Sequence, residues 1–352
     1  MSSFLVQALP DGPLDIIGDL HGELQALHRL LKNLGYQEDG THTDQRTLVF
    51  VGDFCDRGPD SPGTIEYVKS LINKGKAFGI LGNHEINLLI DDAKDGSGWF
   101  FDSRLESDLP FYAPFQRVQP EKKESIRQFL ASLPLVLERK DLRVVHAAWN
   151  KEAIDAIRDV KTENMLDFFV ECDEKANEFA KKSGILEKYL EAKQKWKEKI
   201  EDPAAIIPML QEYADFDLVQ NRFNPIRLLT SGTEAAAETP FFAGNRWRFS
   251  DRTPWWDHYD EPVPVVFGHY WRQLDPSQTR KLSRYSLLFN GIDPFHWHGK
   301  CHNAFCIDFS VGARWRERRQ DQNPEATRFH LAALRWPEQI LVTDTGFQQK
   351  IS

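Results

Sequence analysis

LDIIGDLHG (Leu14 to Gly22) is an apolar run that breaks at Gly18 into a short polar cluster. Leu14 to Ile17 has the length and composition of a buried strand, and the cluster brings Asp19 and His21 to the place where that strand ends. Leu24, Leu27, Leu30, Leu31 and Leu34 then recur at helical spacing until Gly35, so the stretch opens a β-α unit. Further along, the pattern repeats. Thr47 to Val51 runs into GDFCDRG (Gly52 to Gly58), followed by a helix in which Ser61 can cap, Pro62 sits at the first position, and Ile65, Val68, Leu71 and Ile72 mark the buried face. Lys76 to Leu81 runs into GNHE (Gly82 to Glu85), with a third helical start over His84 to Ile90. This alternation predicts an α/β fold with a largely parallel sheet.

Two more apolar runs end in VVHA (Val144 to Ala147) and FGHY (Phe267 to Tyr270). Ligands of open α/β sheets bind beyond the carboxyl ends of the strands, so these ends are expected to converge on one site. Asp19 and His21 offer two ligands to one metal, with Gly22 relieving the backbone. Asp53 is a short carboxylate able to bridge two cations, and Asn83, His146 and His269 would complete the shell of the second. A single such residue reads as a turn Asp, a capping Asn or a core His. All six at strand ends read as a metal centre suited to phosphate ester hydrolysis.

Composition agrees with a soluble globular enzyme. The chain has 352 residues, 41% of them hydrophobic, enough for a large core. No apolar stretch is long enough to span a bilayer and the N-terminus has no secretory pattern, so the expectation is a cytoplasmic protein without membrane contact. The net charge of -9 argues against DNA binding, although metals attract an anionic substrate locally. Cys55, Cys172, Cys301 and Cys306 form no CxxC pair and read as reduced thiols.

Between Asp91 and Gln119 periodicity is lost, and Trp99, Phe100, Phe101, Phe111, Tyr112 and Phe115 read as an aromatic loop that either packs on the core or rims a pocket. From Lys151 to Asp215 the composition shifts to Lys, Glu and Ala, which suits surface helices. The expected division is residues 1–150 and 241–352 as the two halves of one domain, with a mainly helical insertion, a candidate cap, over 151–240. Phe305 to Phe309, His330 to Trp336 and Gln339 to Val342 read as further strands of an antiparallel meander. His296, His298, Cys301 and His302 form one more cluster, read either as an adventitious metal site or as a polar loop.

The strings GDLHG, GDFCDRG and GNHE, in this order, resemble the calcineurin-like metallophosphoesterases. Within them they resemble the phosphoprotein phosphatase family and its bacterial relatives, including the symmetrical diadenosine tetraphosphate hydrolases. The likeness extends over residues 14–90, 143–149 and 263–270, and more loosely over CIDFSVG (Cys306 to Gly312) and LAALRWPE (Leu331 to Glu338). It implies a four-layer α/β/β/α sandwich and two divalent ions. One ion is then held by Asp19, His21 and Asp53, the other by Asp53, Asn83, His146 and His269. Nitrogen and oxygen donors without thiolate fit Mn²⁺, the first choice here, or Fe or Zn²⁺. Trp271 stands where many metallophosphoesterases carry the second His of a GHxH string, which favours the phosphoprotein phosphatase branch.

The mechanism expected of such a site is in-line attack on phosphorus by a hydroxide between the metals, with no covalent intermediate. His84 would protonate the leaving oxygen, and Asp56 would orient its imidazole. Arg57 offers a planar fork to two phosphate oxygens, and Arg252 is either a second clamp or one half of a structural ion pair. The leading substrate reading is a phosphomonoester such as phosphoserine or phosphothreonine in proteins. The alternative is a dinucleoside polyphosphate. A scaffold without turnover is set against by the presence of every ligand together with His84, Asp56 and Arg57.

Overall fold

The computed structural model describes residues 3–160, 164–275, 284–320 and 327–352. The chain opens with β1 (Val6–Ala8), then alternates β2 (Leu14–Ile17), α1 (Leu24–Leu34), β3 (Thr47–Phe50), α2 (Ser61–Asn73), β4 (Ala77–Gly79) and α3 (Asn83–Leu89). Next come α4 (Asp102–Tyr112), α5 (Lys123–Ala131), β5 (Val136–Arg139) and β6 (Leu142–Val145). Helices α6 (Lys151–Arg158), α7 (Met165–Lys182), α8 (Ile185–Trp196), α9 (Gln211–Phe223) and α10 (Pro225–Ser231) lead to a hairpin of β7 (Glu234–Ala243) and β8 (Arg246–Arg252). The chain closes through β9 (Val265–Phe267), β10 (Ala304–Cys306), α11 (Trp315–Arg318), β11 (Ala332–Trp336), β12 (Ile340–Thr343) and β13 (Gln348–Lys350).

Two mixed sheets result, ordered β13-β12-β11-β2-β3-β4 and β1-β5-β6-β9-β10. Strands β2, β3 and β4 are mutually parallel, as are β6, β9 and β10. Side chains alternate between two cores with the period of the pleat. Leu14, Ile16 and Val49 of one sheet meet Val144, Val266 and Phe305 of the other in a shared core. Ile17, Leu48, Phe50, Val145 and Phe267 point outward, where α1, α2, α6 and α10 contribute Leu27, Ile65, Ile154 and Leu229. Helices therefore cover both outer faces, giving the four-layer α/β/β/α sandwich.

Several local expectations need correction. Helix α2 is capped by Asp60, whose Oδ1 accepts from Gly63 N at 2.8 Å, and Ser61 is instead its first residue. The aromatic stretch contains helix α4, hidden from sequence by Pro110 and by apolar positions that do not repeat at helical spacing. Strand β10 pairs in parallel with β9 in the second sheet, so the meander is β11-β12-β13. The β7–β8 hairpin, along with β1 and β5, had no counterpart in the sequence reading.

Candidate metal centre

Strands β2, β3 and β4 deliver Asp19, Asp53 and Asn83 just beyond their carboxyl ends, and β6 and β9 deliver His146 and His269 from the facing sheet. The turns that do this are strained. His21, Asp53, Asp56, Arg57 and His269 all hold positive φ, at 44°, 50°, 72°, 68° and 73°. Non-glycine residues in this region cost on the order of 1–3 kcal/mol each and persist where a site over-determines them. Two glycines let backbone approach the carboxylates. A Cβ on Gly82 would lie 2.2 Å from Asp53 Oδ1, and one on Gly268 2.0 Å from Asp19 Oδ1.

Asp53 is the hub. Its Oδ2 lies 3.7 Å from His21 Nε2 and 3.9 Å from His84 Nε2, and its Oδ1 lies 3.4 Å from His146 Nε2. Two groups of donors follow, His21–Asp53–His84 and Asp53–His146–His269, all buried. Asp19 sits at the edge of the first group, its Oδ2 4.0 Å from His21 Nε2, while both of its oxygens accept from His269 N. His84 thus stands closer to the first cluster than its position in the sequence suggested.

The donor set fits divalent metal. Asn83 Oδ1, His146 Nε2 and His269 Nε2 are buried without a hydrogen-bond partner, an arrangement proteins avoid unless something else binds there. His21 Nδ1 donates to Cys55 O at 3.0 Å and His146 Nδ1 to Val51 O at 2.8 Å, so each ring turns its Nε2 inward. Burial, reinforced by Arg57 at His21 and by Arg252 at His269, holds both imidazoles well below their usual range and so neutral. Burial and the neighbouring Asp308 push the Asp19 carboxyl well up. Burial acts the same way on Asp53, but His146 and His84 overturn it and leave that carboxyl well below its usual range. At His146 burial is overcome by Asp53, which pushes the imidazole up to about 10. A cation at this position relieves the crowding of Asp19, Asp53 and Asp308.

The catalytic pair read from sequence is brought together: His84 Nδ1 lies 2.5 Å from Asp56 Oδ2. Trp99, left open above as core or rim, is buried and donates from Nε1 to Asp56 Oδ1 at 2.5 Å, so it pins the orienting carboxylate. Ser61 Oγ accepts from Asp56 N at 2.9 Å. Sequence reasoning also passed over Glu85. Its buried carboxylate accepts from Asp53 N, Phe54 N and Gly82 N at 2.8, 2.8 and 2.9 Å, tying the β3 turn to the β4 turn. The signal was available, since an acid three residues into a helix start is a capping-box position. Glu85→Gln puts an NH₂ against these N–H donors and is expected to destabilise the protein by about 3 kcal/mol, read from urea unfolding.

Arg57 Nη1 donates to His21 Nε2 at 3.1 Å, and its guanidinium lies 4.9 Å from the centroid of the Trp271 ring. Arg252 Nη1 donates to His269 O at 3.0 Å, so it touches the same turn as a ligand donor. Cys55 donates to Glu85 Oε1 and burial pushes its thiol well up, the profile of an inert cysteine. His298 is buried while His296, Cys301 and His302 are exposed, and no group of metal donors forms there among the described residues. Nor, among the described residues, is any helix long and apolar enough to cross a membrane.

Residues 12–270 match the calcineurin-like phosphoesterase family. An asymmetrical bis(5'-nucleosyl)-tetraphosphatase from Oceanobacillus iheyensis is 38% identical over 141 residues, which is 38% of this chain and 54% of that protein. A Bacillus cereus protein of the same name is 51% identical over 74 residues, 20% of this chain and 30% of its own. At most about half of these relatives' length is therefore matched. Among solved structures, a cold-active protein-tyrosine phosphatase from a Shewanella species aligns over 98% of this chain and 83% of its own, with 16% identity and a TM-score of 0.42.

Proposed function

The chain belongs to the calcineurin-like phosphoesterase family, and from that premise we propose that it hydrolyses dinucleoside polyphosphates at a centre of two divalent ions organised by Asp53. The observation that carries the chemistry is the set of buried, unpartnered donors Asn83 Oδ1, His146 Nε2 and His269 Nε2 gathered in front of a carboxylate. The tetraphosphatase names of the relatives support the substrate class, in preference to the phosphoprotein that ranked first from sequence.

Asp19, His21 and Asp53 would hold one ion, and Asp53, Asn83, His146 and His269 the other, with Mn²⁺ as first choice. Such ions supply a nucleophilic water at neutral pH and neutralise charge on the phosphoryl oxygens. The chain's own residues do the rest. Arg57 turns from His21 to phosphate oxygens, its fork steadied on the Trp271 face. Arg252 meets the substrate from the β7–β8 hairpin, beside the His269 turn. His84, its Nδ1–H fixed on Asp56, presents Nε2 to the leaving oxygen and supplies the proton there.

In a Mn²⁺ assay, kcat/KM for diadenosine tetraphosphate is expected to exceed that for a phosphoserine peptide by about tenfold or more. The reverse order restores the protein phosphatase reading. Metal binding is also measurable without turnover. Mn²⁺ at a hundred times its Kd should stabilise the chelator-treated protein by about 2.7 kcal/mol, seen as a rise in Tm that Asp53→Asn largely removes.

A further inference from the structure

We propose that the face of β8 carrying Arg246, Arg248 and Arg252 is a second anion subsite, which holds phosphoryl groups of a polyphosphate chain beyond the one attacked. This rests on the dinucleoside polyphosphate reading and deepens it.

The strand RWRFSDR alternates strictly. Trp247 and Phe249 pack into a cluster with Ile207, Leu210 and Tyr213 on the α8–α9 side. By the pleat, Arg246, Arg248, Ser250 and Arg252 share the other face, spaced by about 6.6 Å, so the row runs about 20 Å. Both of its ends are fastened beside the metal centre. At one end Arg252 donates to the His269 carbonyl. At the other the hairpin tip docks through Asn245 Nδ2 on Asp95 Oδ1 at 3.0 Å, next to Gly96, whose carbonyl accepts from Arg57 N at 3.2 Å. The hairpin therefore runs between the two arginines assigned to phosphate, and Ser250 of the same face donates to Asp217 Oδ2 of α9 at 3.4 Å.

Chemistry along the row suits a polyanion. Arg246 Nε is buried without a hydrogen-bond partner. Arg248 Nε bonds the Ala243 carbonyl at 3.2 Å, which sets the direction of its fork. Lys94 stands nearby: burial, then Arg248 and Arg246, lower its pKa against the pull of Asp92. Asp217 and Glu234 approach from α9 and β7, and burial raises both carboxyl groups. Lys94 is paired with Asp92 at 2.6 Å, so three arginines stand against Asp217 and Glu234, a small positive excess in a chain of net charge -9. One phosphoryl group would occupy Arg57 and Arg252 alone, whereas a chain of phosphates uses the row.

The test is competitive inhibition of aryl phosphate hydrolysis by orthophosphate, pyrophosphate and tripolyphosphate, with Mn²⁺ in excess. Wild-type enzyme is expected to bind tripolyphosphate at least about tenfold more tightly than orthophosphate, and Arg246→Gln/Arg248→Gln to bring that ratio near unity. Lys94→Gln should lower the ratio by a smaller factor. A general loss of folding or metal shifts all three inhibitors alike and leaves the ratio, so an unchanged ratio in the double variant overturns the subsite. Absence of the ratio in wild type overturns it as well. If diadenosine tetraphosphate is not cleaved while the tripolyphosphate ratio holds, the substrate reading falls and the subsite stands for another polyphosphate.

Discussion

Replacing Asp53 by asparagine is expected to lower kcat/KM by on the order of 10³-fold or more, at least about 4 kcal/mol of barrier, with the fold intact. Asparagine tolerates the left-handed backbone that Asp53 holds at φ 50°, so the turn survives. The side chain does not. Asp53 Oδ1 accepts from His84 N at 3.1 Å, which forces the remaining oxygen of an asparagine to that position and places its NH₂ where Oδ2 faces His21 and His84. One cluster then loses its anionic donor and gains a donor proton. The charge that balances His146 and any bound cation disappears with it. Kinetics on diadenosine tetraphosphate, set beside circular dichroism and metal content, check the outcome. Full turnover in Asp53→Asn would end the two-ion account.

Much of this centre is local in sequence, because each donor follows an apolar run that could only be a buried strand. That is why Asp19, His21, Asp53, Asn83, His146 and His269 could be named as candidate donors before any contact was known, and why parallel pairing of β2, β3 and β4 could be expected from the helices between them. What sequence hides is mutual position. Trp99 belongs to a stretch without periodicity, and only the fold carries its indole to Asp56, forty-three residues earlier. Glu85 looked like the end of a motif until its carboxylate was found bonded to three N–H groups from two turns. Strand β10 has the apolar signature of a meander strand, yet its partner β9 lies in the other sheet, since pleat and composition do not encode which edge a strand joins. The alternation in RWRFSDR is plain once β8 is known to be a strand. Its place opposite Arg57 depends on an Asn245–Asp95 contact that no local pattern announces.

His84→Asn separates the two substrate classes as well as testing the acid. His84 Nε2 can reach a leaving oxygen only while Nδ1 stays on Asp56, whose carboxylate Trp99 holds from a second side while Ser61 Oγ holds its backbone N–H. A general acid is worth about 10²–10⁴-fold, with most of that realised when the leaving group is a poor one. Serine departs from phosphoserine as an alkoxide, so His84→Asn should cost about 10²-fold or more on a phosphoserine peptide. A nucleoside phosphate expelled from a polyphosphate chain departs as an anion whose conjugate acid has a pKa of about 6, and needs little help. The same substitution should therefore cost no more than about tenfold on diadenosine tetraphosphate, comparable to an aryl phosphate. Equal losses on all three substrates would mean that His84 serves the metal cluster it borders, through Nε2 3.9 Å from Asp53 Oδ2, rather than the leaving group. Unequal losses in the order given assign it the proton, and they explain how a site with an acid built for alkoxides also works on an anhydride that hardly requires one.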